Sequence, residues 1–142
     1  MSKVRELLED KGTEVWSVAP TDSVYDALAL MAEKNIGAVV VMDQGRMSGI
    51  LSERDFTREV VLEGRDASDT QVGSIMSSPP VCVGLDQTVE ECMALMTDKR
   101  VRHLPVLEDN QLVGLVSIGD VVKATIAEQK FTIEQLERYI TS

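Results

Sequence analysis

The chain has 142 residues, 44% of them hydrophobic and only 4% aromatic, and a formal net charge of −10. That length suits one module spanning residues 1–142 with a buried core, while the acidity excludes nucleic acid as a partner, because binders of phosphate backbones display a neutralising basic stripe. No apolar run reaches the roughly 20 residues that cross a bilayer, and the opening "MSKVRELLEDKG" lacks the apolar centre of a signal peptide, so no membrane partner and a cytoplasmic location are expected.

After a short lead-in strand near Val15, "TDSVYDALALMAEKN" predicts a helix with Thr21 as N-cap and Val24, Ala27, Leu28 and Met31 at helical spacing. "AVVVMDQGRMSGILS" then reads as a hairpin: a β-branched run, a turn at Gln44 and Gly45, and a strand running to Ser52. The helix "ERDFTREVVLEG" follows. "GRDASDTQVGSIMSSPP" has the polar, Gly- and Pro-containing character of a connector, with one helical turn at "VGSIM". The order then recurs: a helix carrying Val89, Cys92, Met93 and Met96 on one face, a hairpin "HLPVLEDNQLVGLVS" turning at Asp109 and Asn110, and a helix "IGDVVKATIAEQK". The tail "TIEQLERYITS" places Ile133, Leu136 and Ile140 on one helical face, suited to docking on its own domain or on a second subunit.

Sliding the chain by 65 positions aligns Val15 to Val60 with Pro80 to Thr125 without a gap. Ala29, Leu30 and Met31 meet Ala94, Leu95 and Met96, and "GILSERD" (Gly49 to Asp55) meets "GLVSIGD" (Gly114 to Asp120). Two copies of one strand, helix, strand, strand, helix unit are therefore present. One such sheet cannot cover both of its faces, so an α/β domain is expected in which the copies pack sheet to sheet with helices outside. Cys82 and Cys92 are too few for a disulfide framework and lie in no metal-ligand spacing. Cys92 is read as a buried reduced thiol, and Met31, Met93 and Met96 as core. No spacing brings a nucleophile, a base and an orienting group together, so an enzyme is not expected.

The doubled G-h-h-S-x-x-D segment, "RHLPV" entering the second hairpin and the "SIMSSPPVCV" lead-in to the second unit resemble a stand-alone tandem pair of CBS domains of the small bacterial type, over about Val4 to Lys130. The corresponding boundaries are 10–64 for the first repeat, 72–130 for the second and 131–142 for a C-terminal helix. The resemblance implies a pseudo-two-fold pair of β-α-β-β-α units forming a homodimer. It also implies clefts between the repeats for an adenine nucleotide, AMP foremost, with NAD or ATP as alternatives and ADP or S-adenosylmethionine also in range. Such a module regulates a partner, here unidentified, rather than catalysing.

Ser52 and Ser117 each stand where a strand gives way to a helix, so unpaired amides and the positive end of the helix dipole suit a phosphate there. Asp55 and Asp120, acceptors only, can take both ribose hydroxyls, the role of this aspartate in the resembled family. Ser-x-x-Asp is equally a capping box that needs no ligand, which leaves a ligand-free dimerising scaffold as the alternative. Arg102 and His103 offer donors to phosphate, and Leu104 and Pro105 continue that strand, Pro105 implying an edge or a bend. The first copy has "GAVVV" there and draws its cation from Arg54 instead, so the corners are unequal and the Asp120 site ranks ahead of the Asp55 site. Lys11, Gly12 and Thr13 match a family segment that lines a cleft. The adenine would sit among aliphatic groups, Val15, Ala38 and Val39 in one half, with Met76 and Val81 their counterparts in the other.

Overall fold

A computed structural model describes residues 2–141, and its chain divides into two compact units, Val15–Pro80 in one and the residues up to Glu14 together with those from Val81 onward in the other. The amino-terminal helix, α1 (Val4–Lys11), thus folds with the second repeat. The reason is apolar spacing: Val4, Leu7 and Leu8 lie on one face of α1 and join a core with Val83, Val89, Cys92, Met96, Leu104, Val106, Val116 and Val121. Main-chain bonds from Val4 N to Gln87 O (2.9 Å) and from Arg5 N to Leu85 O (3.0 Å) fix its start. Gly12, at φ 98°, ends the helix, its N–H donating to Leu8 O at 2.8 Å.

The Val15–Pro80 unit contains β1 (Ser17–Val18), α2 (Val24–Lys34), β2 (Ala38–Asp43), β3 (Arg46–Ser52) and α3 (Glu53–Phe56), which runs into a π-helical stretch, Thr57–Val61. The sheet order is β1-β2-β3, with β1 parallel and β3 antiparallel to β2. β2 is buried from Ala38 to Val41, as its unbroken apolar run requires of a central strand. Gln44 and Gly45 close the hairpin at φ 50° and 79°, the left-handed pair of a type I′ turn. α2 is capped by Ser23, whose Oγ accepts from Asp26 N at 3.0 Å, and not by Thr21 as its sequence suggested. Ser23 is the serine with an acid three residues on, which is what a cap selects.

The polar connector is part of this fold. Val72 and Ile75 enter the core with Val24, Ala27, Met31, Val39, Val41, Leu51 and Val60, and bridges Ser23–Gln71 and Ile50–Ser77 stitch the segment to α2 and β3. Its helical turn is a 3-10 turn, Val72–Ser74.

The other unit repeats the plan with β4 (Val83–Gly84), α4 (Val89–Lys99), β5 (His103–Glu108), β6 (Gln111–Ser117) and α5 (Ile118–Thr141), in the sheet order β4-β5-β6. The register is preserved: Ala38 faces Ser52 as His103 faces Ser117, and both hairpins shift register at the same place, Val41/Met42 and Val106/Leu107. Thr88 and Glu91 form a reciprocal capping box on α4, and Asp109 and Asn110 make the turn at φ 50° and 63°.

Two expectations are corrected. Of the edge or bend expected at Pro105, the edge is excluded, since the residue lies in the central strand, one position before the register shift at Val106/Leu107. The strand tolerates it because β4 starts late: Ser17 pairs with Val40 in the first sheet and Val40 N donates to Trp16 O, whereas the second sheet's pairing begins at Val83–Val106, beyond the position where Pro105 has no N–H to give. The tail is no separate helix either. α5 runs through it as one 24-residue helix, leaving Ile126, Ile133, Leu136 and Ile140 58%, 55%, 58% and 78% exposed, so the tail does not dock on its own unit.

Candidate functional site

Each unit places its Ser-x-x-Asp at the corner where the hairpin ends and a helix starts. At the first corner Ser52 N donates to Asp55 Oδ2 at 2.9 Å, Ser52 Oγ donates to the same oxygen at 3.0 Å, and Asp55 N donates back to Ser52 Oγ at 3.2 Å. At the second, Ser117 N donates to Asp120 Oδ2 at 2.8 Å and Asp120 N to Ser117 Oγ at 3.2 Å. Glu53 N to Gly37 O (3.1 Å) and Ile118 N to Arg102 O (2.8 Å) hold the two corners shut in the same way. The capping reading is therefore realised in both units, and it engages Oδ2 of each aspartate.

The remaining oxygens distinguish the corners. Asp55 Oδ1 accepts from Ser77 Oγ at 3.2 Å. Among the described residues every bond to Asp120 goes to Oδ2, which accepts from Lys11 Nζ at 2.6 Å as well as from Ser117, so Oδ1 is open to a further donor. Lys11 Nζ also donates to Leu115 O at 2.8 Å. Burial opposes ionisation of Asp120, but the bonds from Lys11 and Ser117 outweigh it and hold the carboxyl below its ordinary range. His103 is shifted down, first by burial and then by the charges of Lys11 and Arg102, with Asp120 pulling the other way. It is a neutral imidazole at neutral pH, so the positive charge of this corner resides on Lys11 and Arg102.

The predicted residues divide between the units. Val15, Ala38, Val39, Ser52, Arg54, Asp55 and Met76 belong to the first-repeat unit, and Thr13, Val81, Arg102, His103, Leu104, Pro105, Ser117 and Asp120 to the other. Met76 thus joins Val15, Ala38 and Val39 rather than sitting opposite them, because the connector stays on the first sheet through the Ile50–Ser77 bridge. Val39 and Leu104 are wholly buried in their cores, whereas Val15, Met76 and Val81 are half-buried and Thr13, Arg54 and Arg102 exposed.

Lys11 at Asp120 and Ser77 at Asp55 are the partners that the sequence reading missed. Lys11 and Met76, and likewise Gly12 and Ser77, are 65 positions apart, so the segments leading into the two repeats are equivalents, each lying against the other repeat's sheet. The signal was the offset itself, continued past the last matching residue. That crossing also explains the repeated glycine. A Cβ on Gly49 would meet Ser77 O at 2.6 Å and Met76 Sδ at 2.9 Å, and one on Gly114 would meet Leu8 Cδ1 at 2.7 Å.

Comparison with known proteins agrees with this arrangement. The CBS domain profile matches residues 4–62 and 72–127. The mitochondrial CBS domain-containing protein CBSX3 of Arabidopsis thaliana is 38% identical over 96% of this chain and 71% of its own length. A solved CBS-domain protein of Burkholderia ambifaria is 47% identical, superposing with a TM-score of 0.87 over 90% of this chain and 96% of its own. A CBS domain protein of Pyrobaculum aerophilum, solved in complex with AMP, is 26% identical, with a TM-score of 0.74 over 83% of this chain and 88% of its own. A strand-to-helix corner repeated in each of two matched domains makes this chain a member of the CBS domain family, a tandem pair of the kind that serves as a regulatory module.

Proposed function

We propose that the chain is an adenine-nucleotide sensor that binds AMP foremost, with NAD or ATP as alternatives, holding the ribose on Asp120 and secondarily on Asp55, and that ligand occupancy biases an unidentified partner. The observation that carries this reading is the half-buried Asp120 carboxylate, kept ionised by Ser117 and Lys11 on one oxygen while the other stays open. The AMP complex of the Pyrobaculum aerophilum relative supports the choice of ligand. In this reading Ser117 and Arg102 serve the phosphate and Val81 the base. A ligand shifts such a module only by its difference in affinity for two states.

Specific binding raises the melting temperature as ligand exceeds its dissociation constant. In a thermal-shift panel of AMP, ADP, ATP, NAD and S-adenosylmethionine, AMP is expected to stabilise the chain, and Asp120→Ala to abolish most of that shift while the protein stays folded. No shift with any nucleotide would favour the second reading, a ligand-free scaffold. One observation speaks for that reading: both Asp55 oxygens are already engaged by Ser52 and Ser77.

Both readings include a homodimer. Ile126, Ile133 and Ile140 recur every seven residues on α5, with Val122 four residues before the first and Leu136 four residues before the last, all substantially exposed. An exposed apolar stripe with this seven-residue spacing suits a pair of helices, which fits a second copy of the chain.

A further inference from the structure

We propose that Lys11 is the specificity residue of the Asp120 corner, the group that makes it select phosphorylated over unphosphorylated nucleosides. The inference rests on the nucleotide reading above. An isolated aspartate suits ribose hydroxyls but repels the phosphate attached to them, and this chain already carries a net charge of −10. The Lys11 ammonium, 2.6 Å from Asp120 Oδ2, cancels that charge within the corner. The side chains of Lys11 and Asp120 are only 35% and 20% exposed, so their fields are screened less than those of a pair in open solvent.

The ammonium is held in place before any ligand arrives. Lys11 is the last residue of α1, a helix anchored in the core by Val4, Leu7 and Leu8, and its Nζ is pinned a second time by Leu115 O. An ammonium has three N–H donors. Two are committed to protein oxygens, which leaves one for an oxygen of the ligand. The neighbouring His103 is uncharged at neutral pH and cannot substitute for it, and Arg102, the other cation of the corner, is exposed and is not among the described donors to Asp120. The Asp55 corner has the same serine and aspartate but a different neighbour: Met76 occupies the position equivalent to Lys11, and the carboxylate's outside bond comes from the neutral hydroxyl of Ser77. Of the two corners, the one at Asp120 therefore carries a lysine that neutralises its own aspartate.

The test is calorimetric titration of AMP and adenosine into the full chain, Lys11→Met and Lys11→Arg, following the heat that disappears in Asp120→Ala. Methionine is the residue the other corner holds at this position. Lys11→Met is expected to weaken AMP about tenfold, because it removes an attraction and unmasks a repulsion, and to change adenosine by less than about threefold. Lys11→Arg keeps the charge and should keep the preference. Equal losses for both ligands, or no loss of AMP, would overturn the role of Lys11 alone, as would a parent chain that binds AMP and adenosine equally. A parent that binds neither would remove the nucleotide reading and this inference together.

Discussion

Gly49 and Gly114 share a sequence context but not an environment. The obstacle at Gly49 is a backbone carbonyl, Ser77 O, locked in a bridge to Ile50, while at Gly114 it is the tip of the Leu8 side chain. A side chain can rotate away and a bridged carbonyl cannot, so Gly49→Ala should cost about 2–3 kcal/mol and Gly114→Ala about 1 kcal/mol, measured by denaturant unfolding. Asp120 supplies a second prediction at this scale. Its carboxyl holds a proton less readily in the fold than its ordinary value of 3.8, so it stabilises the protein above that value, and the contribution is lost as the pH falls below it. Unfolding measured from about pH 5 down to about pH 2.5 should lose less stability in Asp120→Asn than in the parent; identical acid limbs would contradict the Lys11 and Ser117 contacts. Cys92, pushed up to about 11 by burial and by Glu91, remains a thiol at neutral pH, in agreement with its reading as a buried core residue.

Helices and hairpins were legible because their signals are local. The turns at Gln44–Gly45 and Asp109–Asn110 and the buried faces of α2 and α4 follow from spacing and from residues that tolerate positive φ. What escaped was decided by distant groups. Thr21 and Ser23 are both acceptable caps, and the helix starts after Ser23, where the connector is bridged through Gln71 and Thr70. Pro105 looked like an edge residue because the late start of β4 cannot be seen from β5 alone. The grouping of α1 with the second repeat depends on a core whose other members begin at Val83, far along the chain. The distal half of α5 yields a prediction of its own. Among the described residues, ending the chain after Lys130 deletes only exposed side chains, so at low protein concentration the melting temperature should change little. Light scattering should report a dimer for the full chain and a monomer for the shortened one. A shortened chain that remains dimeric would place the contact elsewhere.

At the scale of the whole molecule, duplication does two things. It provides two chemically related corners, and it lets them diverge, since each is completed by a segment from outside its own repeat: Lys11 in one case and Ser77 in the other. The paired aspartates were evident in the sequence; the unequal partners were not, because the donors come from positions where the two copies no longer match. The measurement that bears most directly on the account is a crystal structure of the chain grown with AMP. The account predicts ribose hydroxyls within hydrogen-bond distance of the Asp120 carboxylate, with Lys11 still beside it. AMP bound away from both aspartates, or absent at saturating concentration while the corners remain capped as they are here, would contradict it.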